Sequence, residues 1–506
     1  MVFLATAGVL AGRTSATFDE VAHIGAGVRY LDGDFRLNRE HPPLAKVLGA
    51  IALPRRDPPL PLPEAETADQ LQWLFGSAWL HRAKQAPLDL LWRARLPLIA
   101  LSMSLIPCIA LVTRALSGVI GASLAVALAA LCPLWLAHAM LVTTDASATL
   151  FAFAAVSCTL WLTRAARVRQ RLLTATGMAA CVALALASKY SMLALPCLLG
   201  CGAVIDAVRR RSRETLLWTA AALVLGTTVG VTCAWGLPAR PSLYFEGVAR
   251  VGTNHIASHQ FYAFGELFSG RAPLYFARAL AVKVALPVWL FAGFGLARAR
   301  AAAPRANELP AAFTVVPLGY FLLMSIYAPP MGVRYVLPVL PFMFVLAGYG
   351  AQQLARLRRG TLLIAVCLLL QLGSYLVALA NTPLSFFNGL FCFSGDSSPC
   401  LDDSNLDWGQ ALPDLARYRE RNHPGVPIRV IYMGSSPVDA YVPDATVAST
   451  EELIAPLPAL YAISLHLRVR APEDSWVRRA APSDIVSGVY AIYDLRRVTA
   501  LRASSP

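Results

Sequence analysis

Charged residues are scarce in this sequence of 506 residues. Asp, Glu, Lys and Arg make up 15% of the chain, whereas 57% of it is hydrophobic and the mean hydropathy is +0.54. This composition excludes an ordinary soluble enzyme and is typical of a polytopic membrane protein. The formal net charge is +14, but the basic residues lie in short runs between apolar segments. Such a distribution indicates membrane topology and excludes a nucleic-acid-binding surface.

The sequence also lacks the common cofactor motifs. It has no glycine-rich dinucleotide loop, no P-loop and no Gly-x-Ser-x-Gly motif. No Cys-x-x-Cys pair or His/Cys cluster suggests zinc, and eight of the ten cysteines lie in or beside apolar runs, where cysteine is usually a small buried residue. The sequence therefore assigns no metal ligand, and a divalent metal stays open as a cofactor.

Apolar runs recur along the first 380 residues and predict a mainly α-helical, polytopic fold with about eleven transmembrane helices. Residues 1–12 are too short to span a bilayer, which takes roughly 20 helical residues. No basic region precedes them, so we interpret them as part of a first span whose start codon was placed late rather than as a signal peptide. The remaining runs lie at about 96–113, 119–137, 146–163, 172–188, 191–208, 215–236, 276–296, 309–327, 333–350 and 361–380.

Basic residues predict the orientation of these spans. Five clusters fall in connections on one side of the membrane, and the positive-inside rule makes that side cytoplasmic. The clusters are Arg114 and the arginines within 164–171, 209–213, 298–305 and 356–359. The polar loop 13–90, the turn 141–145, the loop 237–275 and everything after residue 380 are then expected outside the cytoplasm.

After the last span the composition changes. Residues 427–434, 459–467 and 487–495 are strand-like and residues 412–421 form a helical pattern, so residues 381–506 are expected to form a small α/β domain. Cys392 and Cys400 share a polar loop on the predicted outer side, which predicts a disulfide between them. The residues at 403, 405 and 407 have calcium-loop spacing, but Trp408 replaces the required glycine and favours turn and docking chemistry.

The stretch 17–46 collects the polar residues with the strongest functional signal. Thr17 and Glu20 have capping-box spacing, so a helix is expected to begin there with Asp19 in its first turn and His23 one turn further on the same face. His41 precedes a Pro-Pro pair that holds the chain extended before a second apolar helix. Lys46 follows. Because it is one of only four lysines among 44 basic residues, the composition of the chain alone does not explain a lysine at this position.

An Asp-Glu pair followed by a His-Pro-Pro-Leu-x-Lys segment in the first large loop resembles the GT-C glycosyltransferases of the protein O-mannosyltransferase and aminoarabinose-transferase type. The resemblance extends to Thr144-Asp145, to Gly265-Glu266 with Lys283 in the following helix, and to the segment 403–410. Relatives often carry Thr-Pro after the lysine, whereas this chain has Val284-Ala285. On this likeness, residues 1–380 are a GT-C transmembrane catalytic domain with 13–90 as its large outer loop.

The resemblance implies a bacterial inner-membrane enzyme whose active site and C-terminal domain face the periplasm or cell exterior. It implies inverting transfer of a sugar from a polyprenyl-phosphate carrier to an acceptor hydroxyl of unknown identity, with Asp19 as the base. Glu20 and His23 are expected to orient the base or bind the acceptor. The phosphate candidates, in falling order, are Lys46, Lys283 and Arg334. The substrate-binding set is His23, His41, Lys46, Asp145, Glu266, Lys283 and Arg334.

Two other classes remain open at this stage. A secondary transporter or lipid flippase would use Asp19 and Asp145 as proton relays, and it predicts charged residues near mid-membrane together with broken helices. A scaffold membrane protein would recruit partners through its outer domain. This third class does not explain why acidic residues and a lysine occur together in the first loop. Asp145 itself is either a helix N-cap or a functional acid, and Lys283 has either a lipid phosphate or the carboxylate of Glu266 as its partner.

Overall fold

The computed structural model describes residues 1–55, 61–63, 67–82, 84–210, 212–253, 260–301, 309–390, 392 and 398–496. Part of the proline-rich stretch of the first loop, Arg211, Arg305, the inner residues of the loop 392–400 and the last ten residues lie outside this set.

Most of the described chain is α-helical, as the composition predicts. Short 3₁₀ segments at 190–193, 333–339, 383–385, 403–405 and 450–453 connect some of the helices. In chain order the helices are α1 Val2–Ala11, α2 Phe18–Leu31, α3 Leu44–Ile51, α4 Ala68–His81, α5 Pro87–Met103, α6 Leu105–Ser117, α7 Val119–Ala130, α8 Pro133–Ala139, α9 Thr144–Arg164, α10 Val168–Ser188, α11 Ala194–Arg210, α12 Arg213–Cys233, α13 Pro241–Thr253, α14 Tyr275–Lys283, α15 Leu286–Ala301, α16 Ala312–Tyr327, α17 Leu340–Leu354, α18 Gly360–Ala380, α19 Leu412–Asn422, α20 Leu465–Arg470 and α21 Trp476–Arg479.

Each of the eleven predicted spans corresponds to helical structure. Seven segments of the described chain are long and apolar enough to cross a bilayer, and two bent helix pairs bring the number to nine if each pair is one span. The pairs are α7 with α8, bent by 60°, and α14 with Leu286–Arg300, bent by 114°. The other two predicted spans are the shorter apolar helices α1 and α16. The chain is thus a multi-pass membrane protein by length and composition of its helices.

The predicted outer loop 13–90 contains three helices rather than irregular chain. The expected helices after Thr17 and after the Pro-Pro pair are α2 and α3, whereas α4 was not expected. Helix α2 packs between the other two through glycines, because a Cβ on Gly27 would overlap the carbonyl oxygen of Lys46 and one on Gly76 would overlap that of Val21. This close approach fixes the helix that carries the Asp-Glu pair.

The region after α18 contains a mixed five-stranded sheet and α19, as its strand-like runs predict. The strands are β3 Ile428–Ile431, β4 Ala445–Val447, β5 Leu460–Ser464, β6 Asp484–Val486 and β7 Tyr490–Asp494, and a separate hairpin earlier in the chain has β1 Gln260–Ala263 and β2 Glu266–Ser269. The sheet order is β4-β3-β5-β7-β6; β3 is parallel to β4 and β5, and β7 is antiparallel to β5 and β6. The predicted Cys392–Cys400 disulfide is present, with 5.7 Å between the Cα atoms.

Candidate active site

Asp19, in the first turn of α2, lies at a polar junction between the outer-loop helices, the 333–339 segment and the C-terminal region. Its Oδ2 accepts a hydrogen bond of 2.7 Å from Nη1 of Arg334. The guanidinium of Arg334 also lies 4.3 Å from the ring centre of Trp408. The side chains of Asp19 and Arg334 are 17% and 11% exposed, so both remain partly accessible. The structure therefore brings together the predicted base and one of the predicted phosphate ligands.

Glu20 occupies a different environment from its neighbour, because it is fully buried in an ion pair with Arg95 of α5. Nε and Nη2 of Arg95 donate to the two carboxylate oxygens at 2.9 and 2.6 Å, while Thr17 donates through its backbone N–H and hydroxyl. The backbone N–H of Val142 donates to Oε1 at 2.9 Å. Burial raises the pKa of Glu20, but the charge and hydrogen bonds of Arg95 outweigh burial and bring the pKa below its usual value. This geometry suits a positioning residue.

His23, one turn after Asp19, is buried, and its Nδ1 lies 2.8 Å from the carbonyl oxygen of Val142. Its ring meets that of His41 edge to face, with 5.2 Å between the ring centres. Burial lowers the pKa of both histidines, in the case of His41 to well below its usual value. Both imidazoles are therefore neutral near pH 7, and both lie beside Asp19.

Lys46 has partners other than the expected carrier phosphate. Its ammonium is completely buried and donates to the carbonyl oxygens of Asn38 and His41 and to the hydroxyl of Tyr30, the last two at 2.7 and 3.3 Å. An ammonium group has three N–H donors, so these three acceptors use all of them. The arrangement holds the turn before α3 in place and favours a structural role over phosphate binding.

Asp145 is the second acid of the site and lies in the first turn of α9, where Thr143 rather than Asp145 is the N-cap residue. Its Oδ1 accepts a hydrogen bond of 2.6 Å from Lys189, and its Oδ2 has no hydrogen-bond partner in the described part of the chain. The ammonium of Lys189 lies 4.8 Å from the ring centre of Tyr335, the neighbour of Arg334. A second acid–cation pair thus stands next to the Asp19–Arg334 pair.

Lys283 and Glu266 do not form the ion pair that was one of the two possibilities for Lys283. Lys283 ends α14 at the sharp bend before α15, and its buried Nζ donates to the carbonyl oxygens of Leu384 and Asn405 at 2.6 and 2.7 Å. Glu266 is exposed at the start of β2. The described hydrogen-bond partners of Lys283 are thus two backbone carbonyl oxygens, which use two of its three N–H donors, and the Glu266 carboxylate is not among them.

The segment 402–410 ties the C-terminal region to the membrane helices. The carboxamide of Asn405 accepts from the backbone N–H of Val333 and donates to the hydroxyl of Tyr275, both at 2.9 Å. The carbonyl oxygen of Trp408 accepts a hydrogen bond of 2.7 Å from the backbone N–H of Phe18, the first residue of α2. These contacts fit the expected docking role better than a calcium loop, and they hold Asp19 and Arg334 in register.

Arg95 and Lys189, the ion-pair partners of Glu20 and Asp145, were not expected from the sequence. Arg95 stands at the predicted outer end of a span, against the positive-inside trend, and that position was an available signal. Lys189 belongs to the same set of four lysines that drew attention to Lys46. The scarcity of lysine thus drew attention to Lys46, whose ammonium contacts backbone carbonyls, before Lys189, whose ammonium contacts an acid of the site.

Known proteins share part of the sequence and the overall fold of this chain. Residues 86–234 match the sequence model of the family described as dolichyl-phosphate-mannose-protein mannosyltransferase. The structure is similar to that of ArnT from Cupriavidus metallidurans in the apo state, with a TM-score of 0.50 and 15% identity over 98% of this chain and 97% of that chain. ArnT bound to undecaprenyl phosphate gives a TM-score of 0.49 at 15% identity, over 97% of both chains. No curated protein sequence matches.

The oligosaccharyltransferase of Archaeoglobus fulgidus in the apo form is more distant, with a TM-score of 0.46 and 11% identity over 90% of this chain and 66% of that chain. The full-length correspondence with ArnT identifies a GT-C fold. This chain therefore has an ArnT-like GT-C fold, which is the fold that the motifs of the first loop indicate.

Proposed function

We propose that this protein is an inverting glycosyltransferase that moves a sugar from a polyprenyl-phosphate carrier to an acceptor hydroxyl. The observation that carries the proposal is the partly exposed Asp19–Arg334 pair, which joins a base to a cation at 2.7 Å beside the second pair Asp145–Lys189. The match of residues 86–234 to a mannosyltransferase family and the ArnT-like fold support the same reaction class. Undecaprenyl phosphate, with which ArnT has been crystallised, is a carrier of the proposed kind.

In the proposed reaction Asp19 accepts the proton of the acceptor hydroxyl. The acceptor oxygen forms a bond to the anomeric carbon while the bond from that carbon to the phosphate oxygen breaks, and the electron pair leaves with the polyprenyl phosphate. Attack from the face opposite the phosphate inverts the anomeric carbon. Phosphate is already a good leaving group, so the site needs a base and cations rather than a strong general acid.

Arg334 and Lys189 are the cations that we assign to the carrier phosphate. The Nε of Arg334 is buried without a hydrogen-bond partner among the described residues, and the side chains of Arg334 and Lys189 are 11% and 12% exposed. Arginine suits planar, bidentate recognition of phosphate oxygens. Lys46 and Lys283 are less suited to this contact, since backbone carbonyls already hold their ammonium groups.

Glu20 is proposed to act through its neighbours. Its carboxylate oxygens bond to Arg95 and to the backbone of Val142, whose carbonyl oxygen in turn orients His23. The proposed assignment is therefore Asp19 as the catalytic base and Glu20 as a positioning residue that holds the start of α2 against α5 and the turn 141–145.

We further propose that residues 1–380 form the catalytic membrane domain and residues 381–506 an outer α/β domain. The site and that domain then face the outer side of a bacterial inner membrane. Helix α18 ends at Ala380 and the five-stranded sheet follows. The clustered arginines of the connections and the polar site at the opposite helix ends support this orientation.

The transporter alternative gains one observation, because two bent helix pairs do occur. Its proposed relays, Asp19 and Asp145, are however paired with Arg334 and Lys189 in the first turns of their helices. Release of polyprenyl phosphate from a radiolabelled polyprenyl-phosphate sugar by the purified protein separates the two functions. The assay uses a panel of donors with different sugars, and a membrane extract supplies the acceptor. A glycosyltransferase releases polyprenyl phosphate from at least one donor, even though the acceptor is not identified. A transporter leaves every donor intact.

A further inference from the structure

We propose that Asp19, His23 and His41 bind one divalent transition-metal ion. One potential ligand atom from each residue lies within 4.8 Å of the other two, which makes this the only such group of three or more His, Cys, Asp or Glu residues in the described chain. The inference rests on the proposed function only in that the ion would lie beside the proposed base. Its chemistry follows from the three side chains alone.

His23 is set up as a ligand by its tautomer. A carbonyl oxygen can only accept, so the Nδ1 of His23 carries the proton that goes to Val142, at 2.8 Å. The lone pair is then on Nε2, and this atom is buried without a hydrogen-bond partner among the described residues. Metal-binding histidines usually donate their other ring N–H to a carbonyl or carboxylate in this way. Val142 is held in turn by Glu20, so the buried Arg95–Glu20 pair indirectly orients the ring.

His41 is held in place from the other side. Its ring stands edge to face with His23, its carbonyl oxygen accepts a hydrogen bond of 2.7 Å from Lys46, and the prolines at 42 and 43 restrict the chain that follows. The buried lysine thus positions a ligand rather than a phosphate.

The ligand set selects the kind of ion. Two imidazoles and one carboxylate suit zinc, manganese or iron better than magnesium or calcium, which prefer oxygen ligands. Three protein ligands also leave positions open for water or substrate oxygen. Arg334 occupies only Oδ2 of Asp19, so Oδ1 remains for the ion. Residue spacing alone does not indicate this site, because His41 lies beyond the end of α2 and joins the i,i+4 pair of Asp19 and His23 only through folding.

Zinc titration of the full-length protein in detergent tests the site, with no histidine tag and after treatment with EDTA. We expect one zinc ion per chain by elemental analysis and calorimetry. His23→Gln and His41→Gln should each weaken zinc binding by about 100-fold or more, the upper end of the loss caused by changes around a metal site. The matched control is His423→Gln, which removes a histidine from the C-terminal region, far along the chain from the site. Equal zinc binding by the wild type and both site variants would overturn the proposal.

X-ray absorption at the zinc edge of the wild-type protein gives a second reading that does not depend on whether the variants fold. Two imidazole ligands and oxygen are expected in the first shell, whereas sulfur ligands or an absence of imidazole would contradict the assignment. Both measurements use protein without donor or acceptor. A failure here therefore leaves the proposed transfer reaction standing, and zinc bound as expected without any sugar transfer would count against the proposed function alone.

Discussion

The buried Arg95–Glu20 pair provides the sharpest structural prediction. Both side chains are 0% exposed, and Arg95 makes six hydrogen bonds, to Glu20, Thr14, Ala11 and Ser15. Arg95→Met keeps much of the side-chain volume but leaves the Glu20 carboxylate buried without its counter-charge. Removal of one partner from a buried ion pair costs about 3–5 kcal/mol. We therefore expect a clear loss of stability although Arg95 does not contact the proposed substrate.

Thermal unfolding in detergent, followed by the fraction of protein that remains monodisperse, measures this loss. Arg95→Met should lower the Tm by roughly 5 °C or more, whereas the control Arg93→Met, on the exposed face of the same helix, should leave it nearly unchanged. The double variant Glu20→Gln/Arg95→Met should be more stable than Arg95→Met alone, because no charge is then stranded. If Arg95→Met and Arg93→Met have the same Tm, the reasoning about the buried pair is refuted.

Three further predictions concern other parts of the molecule. Lys46→Met should lower the Tm because it removes the buried donor of three hydrogen bonds, at a cost of about 3 kcal/mol, while the folded fraction binds polyprenyl phosphate normally. Arg334→Gln should weaken that binding about 10- to 100-fold, and the reverse ranking would restore Lys46 as the phosphate ligand. Burial raises the pKa of Asp407 to about 6, so the folded state holds the proton of this carboxyl more tightly than the unfolded state does. The stability of the protein therefore falls as the pH rises from about 4 to 6. Asp407→Asn should raise the Tm at pH 7.5 but not at pH 4.5, and an equal rise at both pH values would contradict the pKa shift. Cys392 and Cys400 should be linked in unreduced, membrane-extracted protein by mass spectrometry, and two free thiols would argue against an outer location.

The spans and the C-terminal strands were predictable because each signal is local. Run length and apolarity identify a membrane helix, and the runs at 427–434, 459–467 and 487–495 contain β3, β5 and β7. By contrast, the sequence does not predict α4, because this helix is supported by close packing of Gly76 against α2 rather than by a marked apolar pattern. The edge strands β4 and β6 have three residues each, too few to show a periodicity.

The site was predictable in part for the same reason. Asp19 and Glu20 belong to one helix start, and the capping contact of Glu20 with Thr17 is a local feature. Their partners Arg334 and Arg95 lie 315 and 75 residues away, so only the fold shows which acid is buried and which stays accessible. A sequence cannot show that carbonyl oxygens already occupy the ammonium of Lys46, because those contacts depend on the path of the turn before α3.

The central claim is that Asp19 is the catalytic base, and release of polyprenyl phosphate by Asp19→Asn tests it most directly. The substitution keeps the size of the side chain but removes the proton acceptor, so turnover should fall by about 10²- to 10⁴-fold while carrier binding and folding persist. Asp32→Asn, at the exposed end of the same helix, is the matched control and should retain activity. Near-normal turnover of Asp19→Asn would contradict the account. If Asp19→Asn is active while a folded Glu20→Gln variant is inactive, the roles of the two acids are exchanged.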